Sequence, residues 1–268
     1  MTWVNDVIQG ILLGGYYGII ACGLALMFGV MRIINLAHGD LAILSACLVF
    51  LIADATGISP FVAVIAVLPV MAVIGWALQR WMLERSLRAG VLVPLLTTFG
   101  LAIFIENGLF EYFGADTRSL APYIGDFAFD SFWIGGDVYV GSLAALIFAV
   151  AVLLLGGLRL FLDYTPLGRA IRATAEDADT AELVGINARA VYAIAAAIAV
   201  ASAGLAGVFL AMRETFSPYS GPMQLIFALS LIHICEKRRM LSGFQGTSHS
   251  LVPARGAPKY FQVARHPR

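Results

Sequence analysis

The chain has 268 residues, 60% of them hydrophobic and 13% charged, with a mean hydropathy of +0.87 and a formal net charge of zero. A soluble domain carries roughly 25% charged residues, so about half of the usual solvating charge is missing. That excludes a disordered chain, a nucleic-acid binder and an ordinary cytosolic enzyme, and leaves an integral membrane protein. The zero is unevenly built. Residues 1–228 hold 10 Arg, no Lys and 16 acids, a net of −6, whereas residues 229–268 hold 7 Lys or Arg and one acid, Glu236, a net of +6.

A charge at the centre of a membrane helix costs roughly 2.5–3.5 kcal/mol, so uncharged runs locate the spans. They are residues 7–31, 41–53, 55–79, 89–105, 138–158 and 190–212. The second is short unless its helix begins near Ala37. Pro60 suits the start of the third, and the fourth is expected to run past Glu106 and Asn107. No Lys or Arg precedes Arg32, so the first run lacks the basic flank of a signal peptide and reads as a retained span. Arg80, Arg85 and Arg88 separate spans three and four, and Arg159, Arg169, Arg172 and Arg189 separate five and six. The segment 106–137 holds six acids and one base, Arg118. The positive-inside rule puts the arginine loops in the cytoplasm and the acidic loop outside, with the N-terminus outside. The predicted fold is an all-α polytopic transmembrane bundle of six spans.

Small residues recur on two spans: Gly10, Gly14 and Gly18 on the first, and Ala195, Ala199, Ala203, Gly207 and Ala211 on the sixth. Such stripes allow close helix packing, within one subunit or across a dimer interface. Cys22, Cys47 and Cys235 have no metal-ligand spacing, and the first two read as reduced packing residues. No G-x-x-x-x-G-K-[ST], H-E-x-x-H or G-x-S-x-G occurs, so the sequence supports no P-loop, zinc or serine chemistry, no catalytic residue and no metal.

Two segments stand out. Asn35-Leu36-Ala37-His38-Gly39-Asp40 is a polar cluster between spans one and two, and the shortness of span two places it at membrane depth. Polar backbone there is tolerated only when buried in protein or lining a cavity. It reads either as a broken helix start on a substrate path, with Asn35, His38 and Gly39 along it, or as a helix cap with a satisfied core histidine. The second segment is a cytoplasmic helix from Thr165-Pro166, a good cap and first position, to Gly185, a good stop. Leu167, Ile171, Thr174, Ala178 and Ala181 share one face. Arg169, Arg172, Glu176 and Asp179 share another, with Arg172 and Glu176 spaced for an ion pair and Asn187 placed to cap span six. Its alanine-rich, mixed-charge surface favours a protein groove over lipid.

These segments carry a resemblance. Residues 14–40, GGYYGIIACGLALMFGVMRIINLAHGD, resemble the opening of the permease subunits of ABC importers for branched-chain amino acids. Residues 167–187, LGRAIRATAEDADTAELVGIN, resemble their cytoplasmic coupling loop, and 216–221, FSPYSG, the external turn after it. The resemblance implies a subunit of the bacterial cytoplasmic membrane with no cofactor of its own, paired with a second permease. It implies two ATPase subunits that bind the ATP and an external substrate-binding protein, with no nucleic acid. Arg169, Arg172, Glu176, Asp177, Asp179, Ala181 and Gly185 would couple to an ATPase. Permeases for urea or short-chain amides share this plan. From another class, a secondary transporter or channel would need an ionisable relay, for which His38, Asp40 and Glu106 are the candidates. An intramembrane enzyme would have only His38 and Asp40.

The likeness runs to about Ala228, making 1–228 the permease domain, with later spans missing. LSLIHI, starting at Leu229, resembles the translation of a transposon end used in preparing sequencing libraries, so 229–268 is expected to be a non-native or disordered tail. A native seventh span over 215–235 is the other reading, with Pro218, Gly221 and Pro222 leaving it short. Sequencing the genomic DNA around the gene checks this. A foreign tail predicts that the frame departs from LSLIHI onward, and an uninterrupted frame carrying this tail refutes it.

Overall fold

A computed structural model gives the structure of residues 2–90, 92–135 and 138–231. Of the expected tail 229–268, residues 229–231 are helical, and 232–268, with Cys235, lie outside the described residues. In chain order the elements are α1 (Thr2–Met31), α2 (His38–Thr56) and α3 (Pro60–Leu78). Helix α3 continues through a π turn (Gln79–Leu83) into α4 (Glu84–Ala89). Then come α5 (Val93–Phe113), the one-turn α6 (Ala121–Ile124), the hairpin β1 (Ser131–Gly135) and β2 (Val138–Gly141), and α7 (Ser142–Tyr164). Helices α8 (Pro166–Glu176), α9 (Ala178–Leu183) and α10 (Ala188–Arg213) follow, and residues 221–231 are again helical. Among the described residues, six helices are long and apolar enough to cross a membrane: α1, α2, α3 with α4, α5, α7 and α10.

Helix α10 is the core. Its small side chains from Ala193 to Ala211 are almost all buried, and it packs against α1, α2 and α3, with α7 outside α1 and α5 outside α2. Glycine sets the closest approach. A Cβ at Gly207 would overlap the Ala42 carbonyl of α2, and one at Gly204 would press on Ser45 and Met71 at 3.0 Å. Ala203 is fully buried beside them. Outward, Trp3, Ile65, Leu96, Phe104 and Leu153 are exposed, as lipid-facing residues must be. Cys22 and Cys47 are free and buried.

Alternation of the spans gathers the arginine loops at one end and the acidic segment at the other. At the acidic end the loops are tied together. Arg118 and Phe216 exchange both backbone bonds at 2.8 Å, the Leu120 amide donates to Ala211 O at 2.7 Å, and Tyr123 Oη donates to Asp54 at 2.8 Å.

Four sequence expectations are corrected. Within the chain, the close packing expected on α1 uses neither Gly10 nor Gly14, where a Cβ would meet no atom of another described element within 4 Å; it uses Gly15 against Phe148, Gly18 against Leu155 and Gly23 against α10. The expected fifth span from Val138 begins instead at Ser142, because Val138–Gly141 is a strand whose two-residue period is lost inside an apolar run. The helix after Thr165 is two helices. Asp177 is extended (φ −153°, ψ 110°) and caps α9, its Oδ1 accepting from the amides of Asp179 and Thr180 at 3.0 and 3.3 Å. Asp and its short acceptor favour this local alternative to helix continuation. Lastly, Arg172 pairs with Asp163 at 2.6 Å rather than with Glu176, since the break follows at once and α7 brings a carboxylate nearer.

Two outcomes follow. Gly207→Val should cost about 1–3 kcal/mol, because the added atoms meet backbone, whereas Gly14→Ala should stay within about 0.5 kcal/mol; thermal unfolding in detergent measures both. The Thr180 hydroxyl, donating to Asp177 at 2.6 Å, holds that carboxyl below the usual range, with the amides assisting. A depressed carboxyl contributes fully above its unfolded pKa of about 3.9 and loses its contribution only as pH falls through the lower folded value. Amide exchange at Asp179 and Thr180, corrected for intrinsic rate, should therefore stay flat from about pH 7 to 5, and rise at every pH in Asp177→Ala.

Candidate functional site

The last regular bond of α1 is from the Arg32 amide to Phe28 O at 2.8 Å, and Arg32 itself takes φ +55°, turning the chain back into the bundle. The unwound stretch to Ala37 is largely buried, and α2 begins beside the middle of α1. His38 Nε2 bonds Ile20 O at 3.0 Å. Ile20 lies eleven residues before Met31, roughly 16 Å along the helix at 1.5 Å per residue. The polar cluster expected at depth is therefore inside the bundle.

Buried backbone without water must find partners. Asn35 Oδ1 accepts from the Ala37 amide at 3.1 Å, and Asn35 O from the His38 amide at 3.2 Å. The Leu36 amide donates to Thr98 Oγ1 on α5 at 3.2 Å, and Thr98 donates onward to Leu95 O at 3.0 Å. Because Ile20 O can only accept, His38 Nε2 carries the proton. Among the described residues its Nδ1 has no hydrogen-bond partner, and neither does Asp40 Oδ1. Both side chains are buried, as is Asn35.

Two close approaches fix this cluster. A Cβ at Gly23 would meet Ala199 O at 2.5 Å, His38 Cε1 at 2.9 Å and Ser202 Oγ, so glycine lets α1, α2 and α10 meet at the imidazole. A Cβ at Gly39 would overlap the Gly221 carbonyl, and one at Gly221 would overlap Asp40 Oδ1. The start of α2 is thus closed by the turn at 217–221, which is held by reciprocal bonds between Ser217 and Ser220. Below it, Tyr16 Oη donates to Gln224 at 2.6 Å in a buried bond. Ser202 also lines a groove of about 320 Å³ whose other walls, among them Cys22, Leu26, Leu68, Ala72 and Leu205, are apolar.

The arginine-end helices connect to this cluster. The Thr165 side chain caps α8 by accepting from the Gly168 amide at 2.9 Å, and Ile171, Thr174 and Ala181 are buried against the bundle. Arg169, Arg172, Glu176, Asp177 and Asp179 face outward. Helix α9 ends in a Schellman turn: Gly185, at φ +88°, donates to Glu182 O, and the Ile186 amide to Ala181 O at 3.1 Å. That turn raises Leu183 and Val184 to 87% and 74% exposure. Asn187 Oδ1 then accepts from the Ala190 amide at 3.1 Å and starts α10. One unbroken helix joins this turn to Ala199 and Ser202 beside His38.

Sequence reasoning found Asn35, His38 and Gly39 but missed Gly23, Thr98, Ser202, Gly221, Tyr16 and Gln224. Gly221 stood in a noted motif, but nothing in the sequence names Asp40 and Gly39 as its neighbours. Gly23 and Ser202 lie in apolar runs where small residues face lipid and protein alike. Among the described residues no group of three His, Cys, Asp or Glu side chains could hold a metal ion.

Residues 7–235 match the family described as branched-chain amino acid transport system, permease component. The chain is 29% identical over 221 residues to the high-affinity branched-chain amino acid transport system permease protein BraD of Pseudomonas aeruginosa, covering 79% of this chain and 71% of that protein. It is 29% identical over 237 residues to the corresponding LivH protein of Escherichia coli, covering 83% and 75%. It is 26% identical over 219 residues to a probable LivH of Methanocaldococcus jannaschii, covering 80% and 69%. No solved structure matches the chain. With its six spans, it is a multi-pass protein of the bacterial inner membrane, and it belongs to the permease family of branched-chain amino acid transport systems.

Proposed function

We propose that the chain is a membrane-spanning permease subunit of an ATP-driven importer for branched-chain amino acids. It forms part of the translocation path and leaves ATP hydrolysis to two ATPase subunits. A second permease and an external binding protein complete the assembly, with the arginine end in the cytoplasm. The observation that carries this reading is the single helix α10, which runs from the Gly185 turn to the buried imidazole of His38. A partner that grips the exposed Leu183 and Val184 and the charged faces of α8 and α9 would move α10, and with it the wall of the polar cluster.

The cluster suits a path that opens and closes. At the start of α2 the Ala37 and His38 amides are taken by Asn35 and the first turn carries its own acid, Asp40, so the spare hydrogen-bonding capacity of the cluster lies in its side chains. Asn35 and His38 offer hydrogen-bonding groups, and the close approach of Gly39 to Gly221 is a contact that a passing solute would have to part. The apolar walls around Ser202 fit an aliphatic side chain better than urea.

Three measurements test the reading in vesicles holding the assembled transporter. ATP-dependent uptake should accept leucine over urea; uptake that survives loss of ATPase activity but collapses with the proton gradient refutes it. Gly185→Pro, which cannot take φ +88°, and Asp179→Lys should insert normally yet uncouple ATP hydrolysis from uptake. Normal ATP-driven uptake in both variants removes the docking role. Gly39→Ala should cut uptake by about tenfold or more while ATPase docking persists, since the added methyl must part α2 from Gly221 and one lost ångström of fit can cost far more than that.

A further inference from the structure

At the arginine end, a cavity of about 320 Å³ is lined by Arg80, Trp81, Glu84, Arg85, Arg88 and Arg189. Two elements far apart in sequence build it: the π turn with α4, and the first turn of α10. The carboxylate of Glu84 is shared by three guanidinium groups, being in contact with Arg80, 2.9 Å from Arg88 and 3.2 Å from Arg189. Arg85 makes no ion pair among the described residues. Four arginines against one carboxylate leave a net of +3 in a small concave site. One acid cannot satisfy the roughly five donors that each guanidinium presents, so the site holds unsatisfied, fork-shaped donors suited to a phosphate.

The surroundings say which phosphate. Trp76 and Trp81 meet edge to face, 6.3 Å between centroids, and both are exposed on the outer side of the helix. Paired indoles at a span end mark the headgroup level of a bilayer. Running away from Arg80 along the same outward face, Val62, Ile65, Val73 and Trp76 are exposed. A phosphate in the cavity thus has an apolar track beside it, which a soluble anion would not use and two acyl chains would. We propose that this cavity binds the phosphate of an anionic phospholipid, with its chains along the outer face of α3. The bound headgroup would bridge α4 to the start of α10, the helix that contacts His38.

The test uses the full purified chain in detergent, with lipid binding read by native mass spectrometry and by thermal shift. Phosphatidylglycerol or cardiolipin should bind about tenfold or more tightly than phosphatidylcholine. The triple variant Arg85→Gln, Arg88→Gln, Arg189→Gln should lose that preference, and Arg159→Gln, elsewhere at the same end, should keep it. Glu84→Gln removes the competing carboxylate and should raise anionic-lipid affinity severalfold, which keeps the proposal testable even if the triple variant misfolds. Excess inorganic phosphate should not displace the lipid. Equal binding of phosphatidylcholine, a weakened Glu84→Gln, an unaffected triple variant that is folded, or displacement by free phosphate would each overturn it. These readouts need no ATPase and no transported substrate, so they stand or fall apart from the importer reading.

Discussion

The fold depends on the close approach of α10 to α1 and α2. In lipid there is no hydrophobic drive between helices, so association rests on dispersion and on the few polar contacts made when backbones come near. Gly207 against Ala42, Gly204 against Ser45 and Met71, and Gly23 against Ala199 and His38 supply that nearness. Larger residues at these places would hold the helices apart. His38 could then no longer bond the Ile20 carbonyl, and the unwound stretch before α2 would lose its burial.

That stretch shows the cost of breaking a helix in a membrane and how it is offset. Each freed backbone group would cost several kcal/mol in hydrocarbon. Asn35 supplies an acceptor to Ala37, Thr98 supplies one from a different span to Leu36, and Asn35 O takes the His38 amide. Among the described residues, Nδ1 of His38 and Oδ1 of Asp40 remain without a partner, beside the Gly39–Gly221 contact. A fully satisfied cluster would be a rigid plug. This cluster instead keeps spare polar capacity beside a glycine-to-glycine seam.

The two ends of the bundle are organised differently. The acidic end is tied by backbone bonds between loops, Arg118 with Phe216 and Leu120 with Ala211, and so forms a firm frame. At the arginine end a buried apolar cluster that includes Met31, Leu83, Ile171 and Val191 is flanked by ion pairs of long side chains: Arg172 to Asp163, and three arginines around Glu84. The Arg172–Asp163 pair is exposed on both sides, and such pairs hold weakly.

The sequence by itself determined the six spans, because a charge in hydrocarbon is costly enough that uncharged runs and helices coincide. It also determined the caps at Thr165 and Asn187 and the turn at Gly185, since those depend on the residue and its next few neighbours. It placed Asn35, His38 and Gly39 at depth from the shortness of one run. What only the tertiary structure decided was partnership. Arg172 had an in-register Glu176 but took Asp163, which α7 delivers. Gly10 and Gly14 carry the more regular small-residue pattern, yet Gly15 and Gly23 make the contacts. A span's rotation about its own axis is set by which neighbours its small residues can approach, and an all-apolar run carries no record of those neighbours.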